Sequence, residues 1–436
     1  MALIESIKKV KKNRLKLIFA IIFLYTAIHF AYSGVYFPAV HAEKIGQVEE
    51  EIVPLAGFLN GGKFIFDNPR QYGPFFIMVM TPFMIFHADK TVFASALLAF
   101  GYLLTVLAFC ICYKYIFQPD GKEEKRIVFW LLLFLWANFA PLLYITTVRN
   151  IEIWELFLIC LGFLMYAKRK YFWTGLSFAA AALTKMLPAI FIFYFLFKNR
   201  KVFFYSVLSI LSIVVLANFI YGPNIGILYL PFLVTRAVGS KTWAVTFFEN
   251  TSLKGFVYKL FGGFRTGSSY AFLLSPQGEK FAFIAVTIFQ VLILSYLICM
   301  ALKKNVGKEE EMVQFSLVSI AMIILAPIAA LEYSTLLLFA YSAGLYLVLY
   351  KDLPKYMYLL YGLSYLLIGS FIPLSVLVKA FPFRAINAAL GNTKFDMAES
   401  YKAYCIPLFG FILIALFFGL YRAWNNKKLK VANIAK

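Results

Sequence analysis

The chain has 436 residues, of which 62% are hydrophobic, 19% aromatic and only 14% charged, with a formal net charge of +21. So apolar a composition excludes an ordinary soluble domain and defines a polytopic membrane protein. The basic residues sit in short segments beside apolar runs, where the positive-inside rule accounts for them and no nucleic-acid partner is implied.

Met1–Lys16 is a basic arm, and Leu17–Phe37 reads as the first span. That run is too long for a signal-peptide core, so it anchors the chain with its N-terminus in the cytoplasm. Residues 38–72 then form an acidic outer loop with Glu43, Glu49, Glu50, Glu51 and Asp67. Gly73–Phe86 is apolar but short of the roughly 20 residues a span needs, and Pro74 and Pro82 predict a tilted, broken or re-entrant helix. Val92–Phe117, Ile127–Ile145 and Ile151–Tyr166 follow as spans. Phe172–Leu183 and Leu187–Phe197 form a half-length pair with Lys185 and Pro188 at the bend, a pattern tolerated at membrane depth where it lines a cavity. Val202–Tyr221 leads to a second outer loop at 222–280.

Phe281–Leu302 returns, Val313–Leu331 crosses to a turn at Glu332-Tyr333, and Leu336–Tyr350 comes back. Tyr356–Val378 leads to a third outer loop at 379–404, and Ile406–Tyr421 is the last span before a basic tail. The alternation of basic loops puts both termini in the cytoplasm. The expectation is an all-α, single polytopic domain of about 11–13 membrane elements with helices in its outer loops. A bacterial inner membrane is the expected location.

The five cysteines, Cys110, Cys112, Cys160, Cys299 and Cys405, lie in or at the edge of apolar runs. An odd, membrane-buried set argues against a disulfide framework. No phosphate-binding glycine loop, hydrolase elbow or metal-ligand spacing is present, so no metal-binding residue is named. What stands out is a set of charges at membrane depth, Arg149, Glu152, Glu155 and Lys185, together with an acidic outer loop. That constellation suits a lipid-linked substrate, whose tail stays in the bilayer while its phosphate sits at the interface. An outer-loop carboxylate then serves as general base on an acceptor hydroxyl.

Three stretches carry a family likeness. Tyr72-Gly73-Pro74, with Pro82 beyond it, opens an early membrane segment. Arg149–Glu152 is followed by a helix, a basic turn at Lys168–Lys170, Thr174-Gly175-Leu176, the small run Ala179–Ala182, Lys185 and Pro188. Asn250-Thr251-Ser252-Leu253 lies in the second outer loop. Together they resemble the GT-C glycosyltransferases, and within these glycosyltransferase family 87, whose known members include α-mannosyltransferases. The chain departs from the family pattern in having Arg149-Asn150 for Gly-Gln, Glu152 for Asn, and Leu331-Glu332-Tyr333 where Trp-Asp-His is common.

The resemblance implies a GT-C-like bundle and transfer of a hexose, expected to be mannose, from a polyprenyl-phosphate donor to a glycan or glycolipid acceptor at the outer face. No cofactor beyond that donor is implied, and divalent-metal dependence is left open. Catalysis falls to Glu50, flanked by Glu49 and Glu51, at the family's spacing before Ala56. Lys185 and Arg149 would hold the donor phosphate. Glu152, Asn250, Ser252, Glu332 and Tyr333 would contact substrate.

Each has a plainer reading. The glutamate run suits a solvated helix face, and Lys185 a side chain reaching for the interface. Arg149 suits an ion pair with Glu152 or Glu155. Asn250-Thr251-Ser252 suits a helix cap or a glycosylation sequon. Glu332 suits a surface ion pair. The alternative function is a transporter or flippase of a lipid-linked or anionic solute, which also uses broken helices and buried charges.

Overall fold

The computed structural model describes residues 7, 12–32, 55–56, 72–119, 121–148, 150–223, 225–229, 231, 250–262, 275–303, 306–369 and 405–434. Among them every regular element is helical. The first are α1 (Lys12–Phe30), α2 (Pro74–Met80), α3 (Lys90–Ile111), α4 (Lys122–Ala137) and α5 (Ala140–Val148). The middle ones are α6 (Glu152–Ala167), α7 (Tyr171–Thr184), α8 (Ala189–Lys198), α9 (Arg200–Tyr221) and α10 (Leu253–Gly262). The last are α11 (Pro276–Ala301), α12 (Lys308–Ile324), α13 (Leu338–Tyr350), α14 (Lys355–Ile368) and α15 (Ile406–Ile434).

The chain is thus an all-α polytopic membrane protein. Among the described residues, five stretches are long and apolar enough to cross a bilayer: Lys90–Phe117, Arg200–Tyr221, Pro276–Ala301, Leu331–Tyr350 and Ile406–Asn426. Several other expected spans are shorter helices. Two expected outer loops lie largely or wholly outside the described residues, at 38–72 and 379–404, and 222–280 is described only in part.

Local chemistry sets the helix ends. Asp89 caps α3, accepting from the backbone amides of Thr91 at 2.8 Å and Val92 at 3.1 Å. Asn199 caps α9 in the same way through Lys201 and Val202. Pro74 occupies the first turn of α2, where its missing amide costs nothing, and Pro82 lies where the α-helix tightens into a 3-10 segment, Thr81–Phe86. The expected break in Gly73–Phe86 is therefore present.

Three expectations are corrected. The helix read as Val313–Leu331 starts earlier, at Lys308, and stops at Ile324, because Pro327 follows and cannot continue it. Glu332 and Tyr333 do not mark a bare turn; they sit in a 3-10 helix, Leu331–Leu337, that runs into α13. The last helix does not end at Tyr421 but continues to Ile434. Arg422 fastens it there, donating to Glu310 Oε1 at 2.7 Å and to the Tyr296 hydroxyl at 2.8 Å.

The chain divides into two compact units. The first comprises Phe23–Pro119 and Leu142–Ser240, the second Met1–Ile22, Asp120–Pro141 and Lys241–Lys436. In the second unit α14 packs on α15, α12 on α13 and α15, and α10 on α11. Buried polar contacts pin it: Trp136 Nε1 donates to Ser342 Oγ at 3.0 Å, and the Tyr365 hydroxyl to the Leu135 carbonyl at 2.7 Å.

In the first unit α7 packs against both α6 and α9, and α3 also packs on α6. Its small residues make this fit. A Cβ on Gly175 would lie 2.7 Å from the backbone nitrogen of Ser206 on α9. Without a large hydrophobic drive between helices in lipid, such close approach is what holds them together. Gly175→Leu is expected to push α9 outward and lower stability by about 1–3 kcal/mol. An unchanged thermal midpoint in detergent would contradict this packing.

Candidate active site

The site begins where α7 ends. Lys185 leaves the helix in an extended conformation, and the Thr184 carbonyl is free to accept from a non-helical donor. That donor is the Gly73 amide, at 2.9 Å. Only glycine fits there, since a Cβ on Gly73 would lie 2.1 Å from the Leu183 carbonyl oxygen. The contact brings Tyr72 beside Lys185, whose ammonium stands 5.5 Å from the centre of the tyrosine ring.

The start of α6 completes the group. The Tyr72 hydroxyl donates to Asn150 Oδ1 at 3.0 Å, and Lys185 Nζ donates to Glu152 Oε1 at 2.6 Å. Lys185 is 5% exposed and Glu152 fully buried. Lys185 therefore does not reach out to an interface; it is a buried cation held in a network. Glu155, three residues further along α6, is also fully buried. Both carboxylates occupy the first turn of α6, where the helix dipole favours negative charge. Phe76 and Trp154, with ring centroids 5.5 Å apart, wall the site on its apolar side. Asn150 also lines a small cleft of mixed polarity with Met80, Leu97, Thr146, Ile151 and Trp154.

Two of the three likeness-bearing stretches, Tyr72-Gly73-Pro74 and the Asn150-to-Lys185 segment, are thus one cluster in space. Sequence reasoning placed Lys185 and Glu152 in it. It named Glu155 only among the charges at membrane depth and gave the Tyr72 hydroxyl and Asn150 no role in the site. The i, i+3 spacing of Glu152 and Glu155 on one helix face was the available signal for Glu155.

The remaining candidates fall elsewhere. Glu49, Glu50, Glu51 and Arg149 lie outside the described residues. Asn250, Ser252, Glu332 and Tyr333 belong to the second unit. There the Asn250 carboxamide accepts from the amides of Ser252 at 3.1 Å and Ala329 at 3.0 Å, and it donates to the Pro327 carbonyl. Ser252 caps α10 through the Gly255 amide at 3.0 Å. Asn250, Thr251 and Ser252 are all fully buried, so this stretch sews the 327–329 turn to α10 and does not present a glycosylation sequon to solvent. Glu332 is partly exposed and Tyr333 buried at the start of the 3-10 helix.

The family model of glycosyltransferase family 87 matches residues 71–327, from the Tyr72 contact through α12 and more than half of the chain. The chain belongs to glycosyltransferase family 87 and is a membrane glycosyltransferase. No curated protein matches its sequence.

Proposed function

We propose that this glycosyltransferase moves a hexose, mannose, from a polyprenyl-phosphate donor to a glycan or glycolipid acceptor at the outer face of a bacterial inner membrane, with both termini in the cytoplasm. The observation that carries the reading is Lys185. It is a cation buried at a helix end in the segment shared with the family, bonded to Glu152 and set against the Tyr72 ring. Membership of a glycosyltransferase family sets aside the transporter alternative.

Lys185 binds the donor phosphate, with Arg149 as its partner from the neighbouring segment. An acceptor hydroxyl attacks the anomeric carbon, the bond from that carbon to the phosphate oxygen breaks, and polyprenyl phosphate departs with the bonding electrons. The acceptor proton passes to a carboxylate of the first outer loop, Glu50 or its neighbours Glu49 and Glu51. Lys185 contributes by offsetting charge that grows on the phosphate as the bond breaks.

Purified protein in proteoliposomes is expected to transfer radiolabel from polyprenyl-phosphate mannose to an extractable glycolipid or glycan. Transfer from a nucleotide sugar and none from the lipid-linked donor would overturn the reading.

A further inference from the structure

Two basic turns meet at one end of the first unit. Lys168, Arg169 and Lys170 join α6 to α7, and Arg200 and Lys201 open α9. Gly175 on α7 lies against Tyr205 on α9, and further along Leu183 shares a core cluster with Ile213 and Val214. The offset is the same at both points, so α7 and α9 run parallel and start level with each other. The Phe172 and Tyr205 rings, with centroids 5.7 Å apart, keep that register near the start. All five cations are exposed, and none makes an ion pair or a side-chain hydrogen bond among the described residues. The described carboxylates of this unit, Asp89, Glu152 and Glu155, lie at the other end, where Asp89 caps the start of α3 and the two glutamates open α6. The far ends of α3 and α6 meet through the rings of Tyr115 and Phe163, with centroids 5.0 Å apart.

The positive-inside rule accounts for cations on this side of the membrane, but not for their gathering on two helix starts. Neither α7 nor α9 has an acidic residue in its first turn, and the dipole of a helix start disfavours cations. Arg169 takes the left-handed conformation that closes α6, at φ 56°, where glycine is the easiest residue. An anion held between the turns offsets all of these charges at once. Phe172, Trp173 and Phe204, in the first two turns of the same helices, are exposed beside them. A soluble anion leaves those rings bare, and so does a nucleic acid. A phosphate that carries acyl chains covers both the charges and the rings. We propose that this face binds the headgroup of an anionic phospholipid, with its phosphate on the five cations and its chains along the exposed rings. Lys185 lies at the opposite end of α7 from Lys170, so this lipid is separate from the sugar donor.

The test uses the full chain, stripped of lipid in neutral detergent, with phosphatidylglycerol and phosphatidylcholine of equal chain length as probes. Phosphatidylglycerol is expected to bind at least about 10-fold more tightly, since each cation beside an anionic headgroup is worth about a fivefold gain. It should also raise the thermal midpoint, because it binds the folded chain. Lys170→Gln with Lys201→Gln is expected to weaken phosphatidylglycerol binding about 10–30-fold and to leave phosphatidylcholine binding within about twofold. Lys122→Gln with Lys355→Gln removes two exposed cations of the second unit and is expected to leave both within about twofold. Equal affinity for the two lipids overturns the proposal. So does an equal loss in the two double variants, which marks diffuse attraction by net charge. A loss confined to polyprenyl phosphate assigns the face to the sugar donor and overturns it too. Should Lys170→Gln with Lys201→Gln fail to fold, Lys168→Gln against Lys122→Gln gives the same answer. A loss of about fivefold is expected in the first alone, and equal affinities overturn the proposal.

Discussion

A double variant, Lys185→Met with Glu152→Leu, is expected to fold about as well as the wild type and to bind no polyprenyl phosphate. The two side chains form a buried pair at 2.6 Å, in which Lys185 is 5% exposed and Glu152 fully buried. Removing two charges from water costs several kcal/mol each, so replacing such a pair by apolar residues of similar volume is often neutral or stabilising. Lys185→Met alone is different. It leaves Glu152 uncompensated next to Glu155, and an unpaired buried charge of this kind costs about 3–5 kcal/mol. The single variant should therefore melt early and the double variant should recover, while donor binding is absent from both. Thermal unfolding in detergent and polyprenyl phosphate binding are the two measurements. A double variant that folds and still binds the lipid phosphate with wild-type affinity would remove Lys185 from the site. Alanine scanning of Lys185 by itself cannot make the distinction, because it breaks the fold and the site at once.

On the proposed reading, replacing the general base in the first outer loop by glutamine is expected to slow transfer by about 10²–10⁴-fold, the usual worth of a general base, while leaving the melting temperature unchanged. Glu49, Glu50 and Glu51 are consecutive, and consecutive helical residues point about 100° apart. If the run is helical, a single one of the three would face the reacting hydroxyl, and Glu50 stands at the spacing before Ala56 that the family resemblance favours. The expected pattern is one large loss and two small ones among Glu49→Gln, Glu50→Gln and Glu51→Gln, measured as initial rates at saturating donor. Wild-type rates in all three variants would move the base elsewhere, with Asp67 and Glu332 the next to replace.

The sequence by itself determined the class. An apolar composition and basic loops in alternation are local properties, readable without knowing what packs on what. The same holds for the break at Pro82, since a missing amide acts on its own helix whatever surrounds it. It also singled out Lys185 and Glu152, because a charge inside an apolar run is conspicuous in one dimension.

Partnership was decided only by tertiary structure. Lys185 and Glu152 were read as separate substrate contacts, and folding brings the two, 33 residues apart, into one bond. Gly73 meets Thr184 across more than a hundred residues, a contact set by how closely α2 approaches the end of α7. Asn250 and Ser252 read equally well as substrate contacts, and only the placement of the 327–329 turn revealed that their polar groups are spent on the protein's own backbone. A side chain's residue type fixes what it is able to bond. Which bond it makes depends on the groups that folding brings within about 3 Å of it, and that distance is a property of the packed helices.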